Sequence, residues 1–299
     1  MCIRDSLYRD QRELRKAEKF YLKAIKLYGT QSFENTILIH EELTEIGISY
    51  VQNYKIPDAI NLLNEQVKIY ENWLESANIV SENQIEKIRS LIIKSYSNLS
   101  GLEKNRSNLS KAENYALLAL KLTNKNPALQ SLELHEHFED LADIYQSQSN
   151  YSKAFYYYSK ALELQEKTFG LSNVKVSGTI VKLAAAHTDI EEYSKAEKLL
   201  LRALTINETL YGMNHVSTTE ILDDLASCYI NQKNINKAIK TMERAIAARE
   251  TSVSLDENGL RQVAYLKIEL SRLQGNSSQV EETILDQLNK TNNPIDKTS

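Results

Sequence analysis

Tyr151-Ser152-Lys153-Ala154 returns later in the chain as Tyr193-Ser194-Lys195-Ala196. Related tetrads end at Ala17, Ala59, Ala112 and Ala238. Consecutive final alanines are 42 residues apart, except between Ala59 and Ala112, where the separation is 53 residues. A fixed period of this size predicts that one supersecondary unit is stacked in several copies along the chain.

Each copy contains two apolar patterns with helical spacing. One face in the fourth copy collects Leu134, Phe138, Leu141, Ala142 and Tyr145. After a polar break, a second face collects Tyr151, Ala154, Tyr158, Ala161 and Leu162. Spacings of three and four place each set on one side of a helix, so the copy is expected to form a helical hairpin.

Small residues recur at two further positions of the unit. Twelve residues before the tetrad alanine, a first small position is filled by Gly47, Ala142, Ala184 and Ala226. A second small position, seven residues after the alanine, is filled by Ala24, Ala119, Ala161, Ala203 and Ala245. Three residues beyond the first small position, most copies carry a tyrosine, and one copy carries His187. Small side chains at these positions predict close contacts between helices, with the ring filling the space beside them.

This pattern resembles the tetratricopeptide repeat. The period of 42, together with the segments at 169–174 and 210–216, resembles the repeats of kinesin light chains and their bacterial relatives. The resemblance implies an all-α, right-handed superhelical solenoid of roughly seven hairpins. Kinesin light chains carry asparagine pairs that hold a cargo peptide, whereas this chain has Glu139-Asp140, Val181-Lys182 and Asp223-Asp224. Specificity for that cargo is therefore not carried over.

The repeat phase assigns the boundaries of the solenoid, which we expect to span residues 7–288. Its hairpins are expected at 7–30, 34–78, 84–125, 131–169, 174–211, 216–250 and 259–288. The last copy is degenerate, since Val280 replaces the tetrad alanine, and terminal copies of this kind act as caps. Residues 289–299 form a polar tail that we expect to be disordered.

The two ends of the chain differ in character. Residues 1–6 resemble a translated sequencing adapter, so we expect a non-native leader. The first hairpin begins inside its first helix, so we expect a fragment whose native N-terminus is missing.

The 53-residue interval predicts two insertions in the third copy. Four extra residues fall near 76–83, before its first helix, and seven fall within 97–110, between its helices. Because the second segment is polar, we expect it to form an exposed loop, with a tolerated surface insertion favoured over a binding loop.

Composition excludes several classes of function. A net charge of −4 offers no electrostatic footprint for nucleic acid, and no apolar run is long enough to span a membrane. With 8 Gly and 3 Pro the chain favours long helices. A location in the cytoplasm is favoured, and no cofactor is expected.

No catalytic or metal-binding constellation stands out. His135 and His137 are two residues apart on a helix, so their side chains point away from each other and cannot share a metal. His187 occupies the tyrosine position of its copy, so a packed structural histidine is favoured over a metal ligand. The sequence therefore predicts no enzymatic activity.

The first helix of each hairpin lines the concave groove in tetratricopeptide superhelices. When the positions of each copy are aligned by the 42-residue period, this rule predicts a peptide-binding groove. Its candidate residues are Glu139, Asp140, Asp143, Gln146, Lys182, Thr188, Asp189, Glu220, Asp223, Asp224, Ser227 and Asn231. Carboxylates predominate in two copies, and a surface of one sign concentrates ligands of the other. The expected partner is a protein or peptide, with a segment containing Lys or Arg as the specific hypothesis. The alternative is that this acidic helix face is simply solvated.

Three interpretations of function remain open. The first is a protein-interaction scaffold without catalysis of its own. The second is a sensor or regulatory segment of a larger enzyme or signalling protein. The third is a self-assembly module, in which another copy covers the apolar face of the N-terminal hairpin.

Overall fold

The structure is a computed structural model that describes residues 11–28, 33–75, 81–125, 133–251 and 257–275. Within these ranges all regular elements are helices, and there are twelve of them. They are α1 (Gln11–Tyr28), α2 (Phe33–Gln52), α3 (Ile56–Glu75), α4 (Glu82–Asn105), α5 (Leu109–Asn124), α6 (Leu134–Ser147), α7 (Tyr151–Phe169), α8 (Val174–Asp189), α9 (Tyr193–Tyr211), α10 (Val216–Asn231), α11 (Ile235–Glu250) and α12 (Glu257–Leu273). They pack as sequential hairpins, which confirms the predicted all-α solenoid.

The tetrad alanines lie in the interior of the hairpin packing. Ala112, Ala154, Ala196 and Ala238 have no exposed surface. Neither do the alanines seven residues later, Ala119, Ala161, Ala203 and Ala245. A methyl group at these positions lets two helix backbones approach, whereas a larger side chain would push them apart. The alanine period of the sequence is therefore the packing period of the fold.

The turn inside each hairpin uses a left-handed residue that is not glycine. Five residues before the tetrad alanine, φ lies between 57° and 62° at Tyr54, Ser107, Ser149, Glu191 and Lys233. In the fourth copy the Asn150 amide donates to the Tyr145 carbonyl at 2.8 Å, and the Ser149 amide donates to the Gln146 carbonyl at 2.8 Å. This pairing closes the end of α6 as a Schellman motif, and it repeats at each turn.

The chain divides between Ala161 and Leu162 into two compact units. In the first unit the core is built on buried rings and branched chains, including Tyr50, Tyr70, Trp73 and Ile92. In the second unit it is built on smaller apolar residues, including Val176, Ile180, Leu225 and Met242. The expectations of one continuous solenoid, of its right-handed superhelix and of its seven hairpin boundaries stay predictions.

The prediction of an exposed loop within residues 97–110 is wrong. Helix α4 continues to Asn105, and only a short turn separates it from α5. Leu99 and Ser100 are buried, and the Ser100 hydroxyl donates to the Ala112 carbonyl at 2.9 Å. Seven residues are about two helical turns, so the insertion lengthens α4 while keeping its apolar face towards α5.

Several sequence-based expectations fall outside the described residues. These are the leader at 1–6, the segment 76–80 of the first insertion, and the tail at 289–299. The second helix predicted for the last hairpin also begins after residue 275. Helix α12 is described only as the first helix of that hairpin.

Candidate functional site

A pocket of about 410 Å³ lies between α10 and α12 in the second unit. Its lining residues are Asp223, Ala226, Ser227 and Ile230 from α10, Met242 from α11, and Arg261, Gln262, Tyr265, Leu266 and Glu269 from α12. The two helices are the first helices of consecutive copies, which is the helix type that the repeat phase assigns to the groove. Asp223 and Ser227 are predicted groove residues, and the structure brings them into this one pocket.

The pocket has an apolar floor and a polar rim. Ala226, Met242 and Leu266 are buried beneath it, and Ile230 is half-buried. Tyr265 stands at its edge with 63% of its surface exposed. A concave site with an apolar base and a few polar groups suits the side chain of a ligand.

Asp223 on the pocket wall is paired within the protein. The Arg249 guanidinium donates from Nη1 to Oδ1 at 3.0 Å and from Nη2 to Oδ2 at 2.5 Å. Loss of surrounding water raises the pKa of the Asp223 carboxyl, and the neighbouring Arg249 charge opposes that rise. Asp223 therefore joins α10 to α11 and offers little free charge to a ligand.

Asp224 and Glu220 present the unbalanced charge of α10. Both side chains are exposed, and in the described part of the chain neither forms a salt bridge. Partial loss of water, followed by the negative charges of Asp223 and Glu220, raises the pKa of Asp224 to about 6. A cation brought to this face would relieve that repulsion.

The predicted groove residues of the first unit are largely engaged with their neighbours. Asp143 receives a 2.6 Å hydrogen bond from the Tyr158 hydroxyl and lies 3.4 Å from Lys104 Nζ. The same hydroxyl lies 2.9 Å from Gln146 Oε1, so Tyr158 brings these two candidates together. Glu139 and Asp140 are half-buried. This face therefore carries less free negative charge than its composition suggests.

The remaining candidates of the second unit are not brought into the pocket. Thr188 donates its hydroxyl to the Ala184 carbonyl at 3.1 Å, within α8. Lys182 is half-buried, whereas Asp189 and Asn231 are exposed. None of these four lines the pocket between α10 and α12.

The sequence reading missed the α12 side of the pocket. Tyr265 lies 42 residues after Asp223, and Glu269 lies 42 residues after Ser227. The same phase rule predicts both positions when it is extended to the degenerate last copy. Arg261 and Gln262 lie one helical turn earlier, outside the positions that the rule covers.

A polar cluster links neighbouring copies at the tyrosine position. In the first unit Tyr145 donates to Glu113 at 2.8 Å, while the Lys153 ammonium lies 4.4 Å from the Tyr145 ring centroid. Burial alone would raise the pKa of Glu113, but hydrogen bonds from Gln148 and Tyr145 lower it. The cluster is structural, because it joins α5, α6 and α7 to one another and none of its residues lines the pocket.

The second unit repeats the same cluster. Glu197, Tyr229, Gln232 and Lys237 stand 84 residues after their counterparts in the first unit. Lys237 donates to Glu197 at 2.8 Å and lowers its pKa, and its ammonium lies 4.9 Å from the Tyr229 ring centroid. In the intervening copy His187 takes the tyrosine position and its Nδ1 lies 2.7 Å from Glu192 Oε2.

His135 and His137 are both buried in α6. The Nδ1 atom of His137 lies 3.5 Å from the Ser97 hydroxyl oxygen, while its Nε2 has no hydrogen-bond partner among the described residues. Across the described ranges, no group of three or more His, Cys, Asp or Glu side chains could hold a metal ion. None of the helices described is long and apolar enough to cross a membrane.

Comparison with known families identifies the repeat. Two tetratricopeptide repeat families match the sequence, one over residues 176–251 and the other over residues 137–173. Such repeats are generally protein–protein interaction modules and typically non-catalytic, and no enzyme family matches. A search among curated proteins finds no significant match.

Solved structures show the same fold at low sequence identity. BtubC (BKLC) from P. vanneervenii is 18% identical, with a TM-score of 0.65 over 82% of this chain and 96% of that one. A putative kinesin light chain with nearly identical repeats from Podosopora anserina is 16% identical, with a TM-score of 0.58 over 69% and 97%. The apo form of RapI is 18% identical, with a TM-score of 0.61 over 84% and 82%.

The sequence period, the hairpin stack and these matches agree with one another. The chain is a tetratricopeptide repeat protein, and its structure resembles those of kinesin light chain-like repeat proteins.

Proposed function

We propose that this protein is an interaction scaffold that binds a peptide, or an exposed segment of a partner protein, on the first-helix face of its second unit. The observation that carries the proposal is the exposed pair Glu220 and Asp224 on α10, which has no salt-bridge partner within the described residues. A surface that carries unpaired charge of one sign raises the local concentration of ligands of the opposite sign.

The charge on this face favours a segment that contains Lys or Arg. Asp223 is already neutralised by Arg249, so the attraction comes from Glu220 and Asp224. Like charges one turn apart on a helix repel one another, and a bound ammonium or guanidinium would replace that repulsion with attraction. The contribution is exposed to solvent and is expected to weaken as salt is added.

Rigid display is the proposed mechanism. The hairpins hold α10 and α12 before any ligand arrives, so little ordering of the protein is needed on binding. No catalytic role is proposed. A sensor or regulatory role within a larger protein and self-assembly through the N-terminal hairpin stay predictions.

Selection of random dodecapeptides displayed on phage tests the proposal. We expect peptides selected on the wild-type protein to be enriched in Lys and Arg. Their affinity should fall at least tenfold when Glu220→Lys and Asp224→Lys are combined, and it should fall as salt is raised.

The matched control reverses two exposed carboxylates elsewhere, Glu75→Lys and Glu243→Lys. Its net charge equals that of the test variant, so it separates a local contact from a change in overall charge. Selected peptides without an excess of basic residues, or equal losses in the two variants, would contradict the proposal.

A further inference from the structure

We infer that the pocket between α10 and α12 is an anchor site for one large apolar side chain of a basic partner segment. The inference rests on the proposed function and adds the chemistry that would give it specificity. A face of exposed carboxylates attracts any basic chain, whereas a shaped apolar pocket next to it selects among basic chains.

The floor of the pocket requires an apolar occupant. Ala226, Met242 and Leu266 are each at least nine-tenths buried and have side chains of only carbon and sulfur atoms, and Ile230 adds a further apolar side chain. Water above such a floor lacks hydrogen-bond partners on one side, so an apolar side chain that displaces it gains free energy. Methionine in the floor also adapts its shape to different occupants.

The size of the pocket fits a large side chain. A volume of about 410 Å³ lies near the lower end of the range of roughly 300–1,000 Å³ found for ligand pockets. Such a space admits a Leu, Met, Phe or Trp side chain together with part of its backbone. An Ala or Ser side chain would leave most of the floor uncovered.

The three charged residues that line the pocket, Asp223, Arg261 and Glu269, all interact with neighbouring groups of the protein, so the pocket itself favours neither charge. Asp223 is held by Arg249, which is only 6% exposed, so a ligand cation cannot readily displace it. On the opposite wall, Glu269 accepts from Arg272 at 2.7 Å. The Ser227 hydroxyl and the Gln262 amide line the pocket and can bind the backbone of an extended peptide.

The charged pair lies within reach of the same ligand. Asp224 follows the pocket residue Asp223 directly, and Glu220 precedes it by three residues, which is less than one helical turn, or about 5 Å along the axis. An extended peptide advances about 3.3 Å per residue. A Lys or Arg within about four residues of the anchor can therefore reach Glu220 or Asp224 while the anchor occupies the pocket.

The peptides selected from the random dodecapeptide library provide the probe. We expect them to share one large apolar residue within four positions of a Lys or Arg. Replacing that residue with Ala should weaken binding to the wild-type protein at least tenfold. On Ser227→Trp, whose indole fills the mouth of the pocket, the same replacement should change affinity less than twofold, while the dependence on salt persists.

Two further variants complete the design. Ser194→Trp adds the same ring at an exposed position at the start of α9 and should leave binding unchanged. Tyr265→Ala removes an exposed rim contact and should weaken binding several-fold, so it replaces Ser227→Trp if circular dichroism shows that the latter is unfolded.

The outcomes separate this inference from the proposed function. Basic peptides without a shared apolar residue, or an apolar replacement with the same effect on wild-type protein and on the pocket variants, would overturn the anchor site alone. Failure to enrich basic peptides would overturn both. If replacing the apolar peptide residue with Ala weakens binding equally on wild-type protein and on the protein with Glu220→Lys and Asp224→Lys, the proposed joint action of the pocket and the charged pair would be wrong.

Discussion

Arg249 of α11 holds both carboxylate oxygens of Asp223 in α10, with distances of 3.0 and 2.5 Å. The arginine side chain is 7% exposed and the aspartate side chain 36% exposed, so the pair sits at the edge of the hairpin interior. Asp223, which the repeat phase predicts to be a groove carboxylate, therefore also links α10 to α11. Its first role in the free protein is structural.

Removing the arginine should therefore be costly. Arg249→Met leaves the Asp223 carboxylate unpaired beside the pocket, and we expect the free energy of unfolding to fall by about 1–3 kcal/mol. Combining it with Asp223→Asn should recover part of that loss. Urea unfolding of the single and double variants measures the coupling. Arg244→Met, which removes a more exposed arginine paired with Glu208, should cost less than about 1 kcal/mol; equal losses would contradict the assignment.

The Tyr145 hydroxyl should contribute measurably to stability. Tyr145→Phe keeps the ring, which is stacked on Tyr157, but removes the hydrogen bond to Glu113. We expect the midpoint of urea unfolding to fall, with a loss of about 1.5–3 kcal/mol, because the partner is a carboxylate. Tyr156→Phe is the matched control, since its ring is 58% exposed, and it should change stability by less than about 0.5 kcal/mol. A larger effect in the control would count against the cluster.

Replacing the left-handed residue of a hairpin turn with glycine should stabilise the protein. Ser149 has φ of 57°, a conformation that costs an L-residue free energy and costs glycine almost none. We expect Ser149→Gly to raise the free energy of unfolding by about 0.5–1 kcal/mol, after allowing for the greater freedom of glycine in the unfolded chain. Ser159→Gly, at an exposed position inside α7, should lower it by a similar amount. Thermal melts compare the two, and a loss at Ser149 would be inconsistent with the turn geometry.

Lowering the pH should reduce the free energy of unfolding because His137 is buried in its neutral form. Burial lowers the pKa of His137 to about 4, and the nearby His135 acts in the same direction while Glu136 opposes it. Between pH about 4 and 6.5 the unfolded chain binds a proton on this histidine and the folded chain does not. The contribution of neutral His137 to the free energy of unfolding is therefore fully present above pH about 6.5, and it is lost as the pH falls through this window.

His137→Leu tests that dependence. The variant should flatten the fall in unfolding free energy across this range, which amounts to roughly 2–3 kcal/mol in the wild-type protein. Exposed His215, which caps α10 by accepting from the Ser217 amide at 3.2 Å, provides the contrast. His215→Asn keeps the cap and should flatten the profile less than His137→Leu does, because His215 is exposed. A wild-type profile that is already flat would contradict the burial argument.

The length of α4 shows where local sequence and packing disagree. Ser97, Asn98, Ser100 and Gly101 are polar or flexible and indicate a turn when taken alone. The structure keeps them helical because Leu99 is fully buried and Glu103, 2% exposed, accepts from Asn108 at 2.6 Å. An insertion of about two full turns preserves the buried face, so packing outweighs local preference.

The sequence alone was sufficient for the repeat, the all-α class and the residues of the helix contacts. Each depends on a period that can be counted, and buried alanines such as Ala154 and Ala196 obey it because a stack of equal units must pack in equal steps. The same phase also predicts the groove positions on α10, since a helix presents one face to a neighbour and the opposite face to solvent.

Only the tertiary structure decided which of the predicted groove carboxylates on α10 is paired with an arginine. Asp223 and Asp224 are adjacent and chemically identical in the sequence, yet one is bound by Arg249 and the other is not. Their difference depends on an arginine 26 residues away and on the 100° rotation between neighbouring positions of a helix. The pocket beside them likewise depends on the distance between α10 and α12, which is set by packing and which no local pattern encodes.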